Sequence, residues 1–137
     1  MNVGRVSAST VTLRFFGDTL EPAEVTRLIG SQPTGSEVKG KVRRTPNGNE
    51  SIARTGGWRL SVLDRTPADL SAQIAKLLLP LTSDLAVWDD LTKRYQADIF
   101  VGLFLQNGNE GQSLPPETLR LLADRQLTIE FDIYRPA

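Results

Sequence analysis

Four separate stretches of the chain have the pattern of β-strands, and in three of them apolar and polar residues alternate with the period of two that is typical of strands that bury one face. The stretches cover residues 11–16, 58–63, 99–105 and 127–134. The third is apolar at almost every position, which predicts a strand in the interior of a sheet. Trp58 is in phase with the apolar side of its stretch, so we expect its ring in the core.

Helical spacing of apolar residues fills the intervals between these strands. A first helix is predicted over 22–30, with proline in its first turn and glycine as its stop. A long helical pattern in the middle of the chain is interrupted by Pro80, which predicts two helices, at about 67–79 and 83–95. A last helix is predicted from about Pro116.

Two segments repeat the same spacing and bear on the fold. Residues 19–22 and 113–116 each precede a helix with a matching apolar pattern, and each lies between two strands. The chain is therefore interpreted as two β-α-β units joined by a helical insert. Such units predict a single α+β domain, 1–137, with a ferredoxin-like, mainly antiparallel four-stranded sheet and helices on one face.

The composition of the chain excludes several kinds of catalytic and metal-binding site. The chain contains neither histidine nor cysteine, which removes the commonest general base, the thiolate nucleophile and the soft metal ligands. Sixteen basic residues balance sixteen acidic ones, so no overall field attracts nucleic acid or an anionic membrane. We expect no enzyme, no cofactor and no metal site.

The first ten residues contain no apolar segment of the kind found in secretory signals, and no apolar run is long enough to span a bilayer. We therefore expect a cytoplasmic protein without a membrane partner.

One face of the predicted sheet would carry an unusual number of aromatic and charged side chains. Its candidate partner-binding residues are Arg14, Phe16, Arg59, Phe100, Phe104, Glu130, Asp132 and Tyr134. An uncovered face of this kind indicates a contact with another protein or with a second copy of the chain, in which Arg14 would pair with Glu130 or Asp132. Alternatively, the middle insert covers the face. RNA stacking on the aromatics is the weakest of these hypotheses, because the two acidic residues repel phosphate.

The polar segment 31–57 is a second candidate site, for a small anionic ligand or for nucleic acid. Its glycines would let backbone amides approach an anion, and no nucleotide-binding fingerprint is present. The simpler interpretation is a solvated hairpin in which 38–45 pairs with 50–55. The candidate anion-binding residues are Lys39, Lys41, Arg43, Arg44 and Arg54.

Paired carboxylates offer a third hypothesis, a hydrolase. Glu130 and Asp132 would point to the same side of one strand, about 7 Å apart, a separation that a glycosidase-type acid pair could use. Asp18 and Asp98 are the other acids considered. Any amphipathic strand that ends in acidic residues would give the same pattern, so no catalytic residue is assigned.

Several short strings are distributed over nearly the whole chain and mark turns and packing positions. They are Phe16-Gly17-Asp18, Leu20, Pro22, Thr26, Leu28, Gly30, Pro33-Thr34, Lys39-Gly40, Gly57-Trp58, Gly102-Leu103-Phe104 and 129–134. Together they resemble a bacterial family, domain of unknown function 4279. The resemblance implies a domain and no reaction. Small proteins of this sort occur beside bacterial toxin genes as candidate immunity proteins, and this analogy favours a protein-interaction module.

Overall fold

The computed structural model describes residues 4–136. Residues 1–3, which belong to the N-terminal stretch used above to predict location, and residue 137 lie outside the described residues, as do the side chains of residues 4, 5 and 63–65.

The described residues form four helices and nine strands. The helices are α1 (Pro22–Ile29), α2 (Leu70–Leu78), α3 (Leu85–Arg94) and α4 (Pro116–Asp124). The strands are β1 (Gly4–Arg5), β2 (Ala8–Gly17), β3 (Gly35–Glu37), β4 (Val42–Arg44), β5 (Glu50–Ile52), β6 (Gly56–Arg65), β7 (Gln96–Phe104), β8 (Glu110–Gly111) and β9 (Thr128–Tyr134).

The main sheet has five strands in the order β3-β6-β2-β7-β9, and the α+β class is confirmed. All of its neighbours are antiparallel except β7 and β9, which run parallel on either side of the α4 crossover. The predicted four-stranded ferredoxin-like sheet is therefore wrong, because the sheet has five strands. The second predicted β-α-β unit is present as β7-α4-β9, whereas the first is not, because β2 and β6 are antiparallel neighbours. After α1 the chain passes through the segment 31–55, and this added length lets it enter β6 directly beside β2 and antiparallel to it.

The local signals at the helix ends are confirmed, with the exception of one N-cap. Pro22 lies in the first turn of α1, and Gly30 ends this helix with a positive φ of 86°. Pro80 separates α2 from α3, as its position predicted. The N-cap of α3 was not predicted correctly: Thr82 and Ser83 are suitable caps after Pro80, but Asp84 caps the helix by accepting a hydrogen bond from the amide of Ala86.

All four helices pack on the same side of the main sheet, where their buried residues join one apolar cluster with Leu13, Phe15 and Ile99. Trp58 and Trp88 are completely buried in this cluster, with ring centres 5.9 and 6.3 Å from that of Phe15, which confirms the prediction for Trp58. None of the described helices is long and apolar enough to cross a membrane.

The segment 31–57 contains the predicted hairpin and one strand that the sequence pattern did not reveal. In the hairpin, β4 pairs with β5 across the turn 46–49. The new strand, β3, adds to the outer edge of β6, with Glu37 placed beside Gly57.

Gly56 occupies a site with no room for a side chain. A Cβ atom there would lie 2.7 Å from the carbonyl oxygen of Gly17 and 2.9 Å from that of Leu20. The turn between β2 and α1 therefore rests directly on the start of β6, and this packing requires glycine at position 56.

We expect Gly56→Ala to lower the free energy of unfolding by about 1–3 kcal/mol, because two backbone carbonyls must move to admit the methyl group. Gly108→Ala is the matched control, since nothing lies within 4 Å of its added Cβ, and it should change stability by less than about 0.5 kcal/mol. Urea denaturation of both variants measures the difference. Equal effects would contradict the close approach at Gly56.

Candidate interaction surface

The side of the main sheet opposite the helices is not covered by the helical insert, because α2 and α3 pack on the other side. We call this side the open face. It carries alternate residues of β2, β6, β7 and β9, among them the whole predicted partner-binding set. The structure therefore brings these eight residues onto one face, as the sequence predicted.

Arg14 and Asp98 form the centre of the open face. They lie directly opposite each other on β2 and β7, and the guanidinium donates two hydrogen bonds to the carboxylate at 2.8 and 2.7 Å. The guanidinium also lies 4.2 Å from the ring centre of Phe100 and 5.2 Å from that of Phe16. Arg14 thus forms its ion pair within its own chain, and its partner is Asp98 instead of the predicted Glu130 or Asp132.

A second bidentate ion pair joins Arg59 to Glu37 on the neighbouring strands β6 and β3, at 2.8 and 2.5 Å. Arg43 of the hairpin approaches the same carboxylate at 3.5 Å. The hydrogen bonds from Arg59 are the main reason that the pKa of Glu37 lies below its usual value. Arg14 and Arg59 lie directly opposite each other on β2 and β6, where two like charges would repel. Their ion pairs with Asp98 and Glu37 offset this repulsion.

The end of the open face where β7 and β9 finish has a different character. Phe104 and Tyr134 stack with ring centres 4.8 Å apart, and they remain 39% and 46% exposed. Asp132 accepts a hydrogen bond of 2.6 Å from the Tyr134 hydroxyl, and Glu130 forms no ion pair with the described residues. We call Phe104, Glu130, Asp132 and Tyr134 the acidic–aromatic corner.

The five basic residues predicted to bind an anion do not form one cluster. Lys39 pairs with Asp18 at 2.8 Å, and Arg44 pairs with Glu50 at 3.5 Å. Lys41 and Arg54 have no ion-pair partner among the described side chains.

Arg43 and Arg54 line a pocket of about 610 Å³ between the hairpin and the open face. Phe16 and Arg59 contribute to the same pocket, so the two predicted sites meet there. Glu37 lines it as well and offsets part of its positive charge.

The acids considered for hydrolysis do not form one cluster, although Glu130 and Asp132 lie on the same face of one strand, as expected. Asp98 is held by Arg14 and Asp18 by Lys39, whereas Glu130 and Asp132 lie on the exposed strand β9. Within residues 4–136, no group of three or more Asp or Glu residues is arranged to hold a metal ion.

Sequence reasoning missed two features of this surface. Glu37 was not singled out, because β3 is too short to show an alternating pattern. Phe131 and Ile133 occupy the apolar positions of the last alternating stretch, which are normally buried, yet they are 45% and 59% exposed at the uncovered end of β9. Alternation identifies the side of the sheet on which a residue lies, and it does not reveal whether a helix covers that position.

We expect Glu37→Gln to lower the free energy of unfolding by about 1–2 kcal/mol at pH 7, because Arg59 loses its charged acceptor. The lowered pKa of Glu37 means that this stabilisation is present above the usual carboxyl value of 4.5 and is lost as the pH falls through the lower folded value. The difference between wild type and variant should therefore shrink towards pH 3, as measured by urea denaturation.

Glu50→Gln is the control, because its pair with Arg44 is exposed and should contribute less than about 0.5 kcal/mol. A difference for Glu37→Gln that is the same at pH 7 and pH 3 would contradict the ion pair.

A comparison with protein families identifies the chain. The family model described as Domain of unknown function (DUF4279) matches residues 7–136. Neither a curated protein nor a solved structure matches the sequence. The match covers almost the full length, so the chain belongs to the DUF4279 family, a domain of unknown function.

Proposed function

We propose that this domain is a non-enzymatic protein-binding module that contacts a basic partner through the acidic–aromatic corner. One observation carries the proposal: two exposed, stacked aromatic rings lie beside two carboxylates that no described cation neutralises. Exposed aromatic residues in a rigid arrangement are typical of binding hot spots.

The two rings form a preorganised contact surface. Phe104 and Tyr134 lie directly opposite each other on paired strands, so their stacking is fixed by the sheet itself. The Tyr134 hydroxyl is held by its hydrogen bond to Asp132, which also raises the pKa of Tyr134 above its usual value. Little conformational freedom would be lost when a partner covers these rings.

The charge of the corner selects the kind of partner. Arg14 and Arg59 are the cations nearest the centre of the open face, and they form ion pairs with Asp98 and Glu37. Glu130 and Asp132 therefore give the corner a negative field, which favours lysine and arginine on a partner and opposes phosphate. This argument supports a protein partner over RNA.

We expect Glu130→Lys to weaken binding of the natural partner by at least about tenfold, because a cation would face the basic partner. Phe104→Arg should have a similar effect and leave the domain folded, since Phe104 is exposed. Asp124→Lys is the control: it makes the same charge change at the end of α4, on the helix side. The measurement is affinity capture of the partner from the source cells, followed by titration of each variant. Equal capture by all variants would contradict the proposal.

A second candidate function is the binding of a small anion in the pocket between the hairpin and the open face. Three guanidinium groups, from Arg43, Arg54 and Arg59, line this pocket with one carboxylate. Arg54 has no ion-pair partner among the described side chains, so its charge is the one available to a ligand.

Inorganic pyrophosphate is a suitable probe of this candidate. If the pocket binds it, we expect the midpoint of thermal unfolding to rise by about 2–4 °C, as for any ligand that binds only the folded state. The rise should disappear in Arg54→Gln and persist in Arg44→Gln, whose side chain already pairs with Glu50. An equal rise in both variants would exclude this pocket as the site.

A further inference from the structure

The strand β9 lies at the edge of the main sheet, and among the described residues no other strand pairs with its outer side. The direction of its backbone groups follows from one hydrogen bond: the carbonyl of Tyr134 accepts from the amide of Leu105, which continues β7. Because successive residues of a strand alternate in direction, the N–H and C=O groups of Ile129, Phe131 and Ile133 point away from β7. These groups form a free row of donors and acceptors.

This edge has little of the usual protection against strand pairing. Natural sheet edges are commonly short, bulged, or marked by proline or charged residues, and β9 has only the last of these, Glu130 and Asp132. The other edge of this sheet, β3, is only three residues long. In contrast, β9 has seven residues, pairs with β7 without a bulge, and contains neither proline nor lysine.

The two sides of β9 differ in chemistry. On the open face it presents Glu130 and Asp132. On the helix side, the exposed Phe131 and Ile133 line a largely apolar groove of about 380 Å³ with Leu103, Leu105 and Leu114, and Glu110 and Gln112 are its polar lining residues. A strand added at this edge would place alternate side chains next to the acids and next to the groove.

The charges argue against a second copy of β9 as the added strand. In the antiparallel arrangement that pairs the full strand with itself, Phe131 lies on the two-fold axis. Glu130 then lies opposite Asp132 of the second copy, and symmetry repeats this contact. Like charges directly opposite each other destabilise a sheet. A strand with basic residues at these positions turns both contacts into attractions.

We infer that β9 binds an extended segment of a different protein by strand addition. The segment alternates lysine or arginine, facing Glu130 and Asp132, with apolar residues that cover Phe131 and Ile133. This inference rests on the proposed function and adds the binding mode and the sequence pattern of the partner. Main-chain hydrogen bonds would supply affinity, and the alternating side chains would supply specificity.

Amide hydrogen exchange of the unmodified protein, measured by NMR, tests the inference. The probe is an acetylated seven-residue peptide in which lysine and valine alternate, and the control is the same peptide with glutamate in place of lysine. At saturating lysine peptide, we expect exchange of the outward amides of Ile129, Phe131 and Ile133 to slow at least tenfold. The inward amides of Glu130 and Asp132, already bonded to β7, should change little, and the glutamate peptide should have no effect.

Two results would overturn strand addition: no slowing of the outward amides with the lysine peptide, or equal slowing with both peptides. The protein-binding proposal would survive either result if capture of the natural partner is still lost in Glu130→Lys and retained in Asp124→Lys. Slow exchange of the outward amides before any peptide is added, together with a dimer in light scattering, would assign this edge to a second copy and overturn the inference.

A pair of variants at Phe131 tests the backbone hydrogen bond between the outward N–H of this residue and the added strand. Phe131→Pro removes an outward N–H without removing a bond to β7, and Phe131→Ala removes the same ring while it keeps the N–H. We expect the proline variant to bind the lysine peptide at least tenfold more weakly than the alanine variant. Equal affinities would show that the backbone edge is not used. The exchange experiment needs no variant, so it decides the question even if Phe131→Pro fails to fold.

Discussion

The bidentate ion pair between Arg14 and Asp98 determines what the open face can do. A sheet covered by helices on one side only must leave its other side compatible with water, and here the centre of that side is closed by a paired guanidinium between two aromatic rings. Because the central cation is satisfied within the chain, it neither attracts an anion nor neutralises the acids of β9. The acidic–aromatic corner, with its exposed rings and its acids outside any ion pair of the described residues, is the part of this face that we propose binds a partner.

The same arrangement organises the charge of the whole face. Arg59 is held by Glu37 as Arg14 is held by Asp98, so the strands β3, β6, β2 and β7 form a neutral, hydrogen-bonded platform. The hairpin adds Arg43 and Arg54 at one end, and β9 adds Glu130 and Asp132 at the other. A protein with no net charge therefore presents a basic end and an acidic end on one surface.

Much of the fold could be predicted from the sequence, because its signals are local. The positions of Pro22, Gly30 and Pro80 set helix boundaries through backbone geometry alone. Alternation located three of the five main strands, and an almost continuous apolar stretch located a fourth. The order of the strands was not predictable in the same way. Whether β6 runs parallel or antiparallel to β2 depends on the path of the segment 31–55, and β3 is too short to display a period.

The candidate site, like the fold, was predictable where the signal is local and unpredictable where it depends on tertiary structure. The sequence placed the partner-binding residues on one face, because alternation determines the side of a strand. It did not reveal that Arg14 would find Asp98, since this pairing depends on the register of β2 against β7. It also did not reveal the exposure of Phe131 and Ile133, which follows from how far the helices reach over the end of β9.

Hydrogen exchange of the complex with the natural partner tests the central claim most directly, because it locates the contact without any substitution. The account predicts that protection on binding is concentrated in residues 128–134 and at Phe104. Protection confined to the hairpin, residues 38–55, with β9 unchanged, would contradict it and would assign binding to the basic end of the open face.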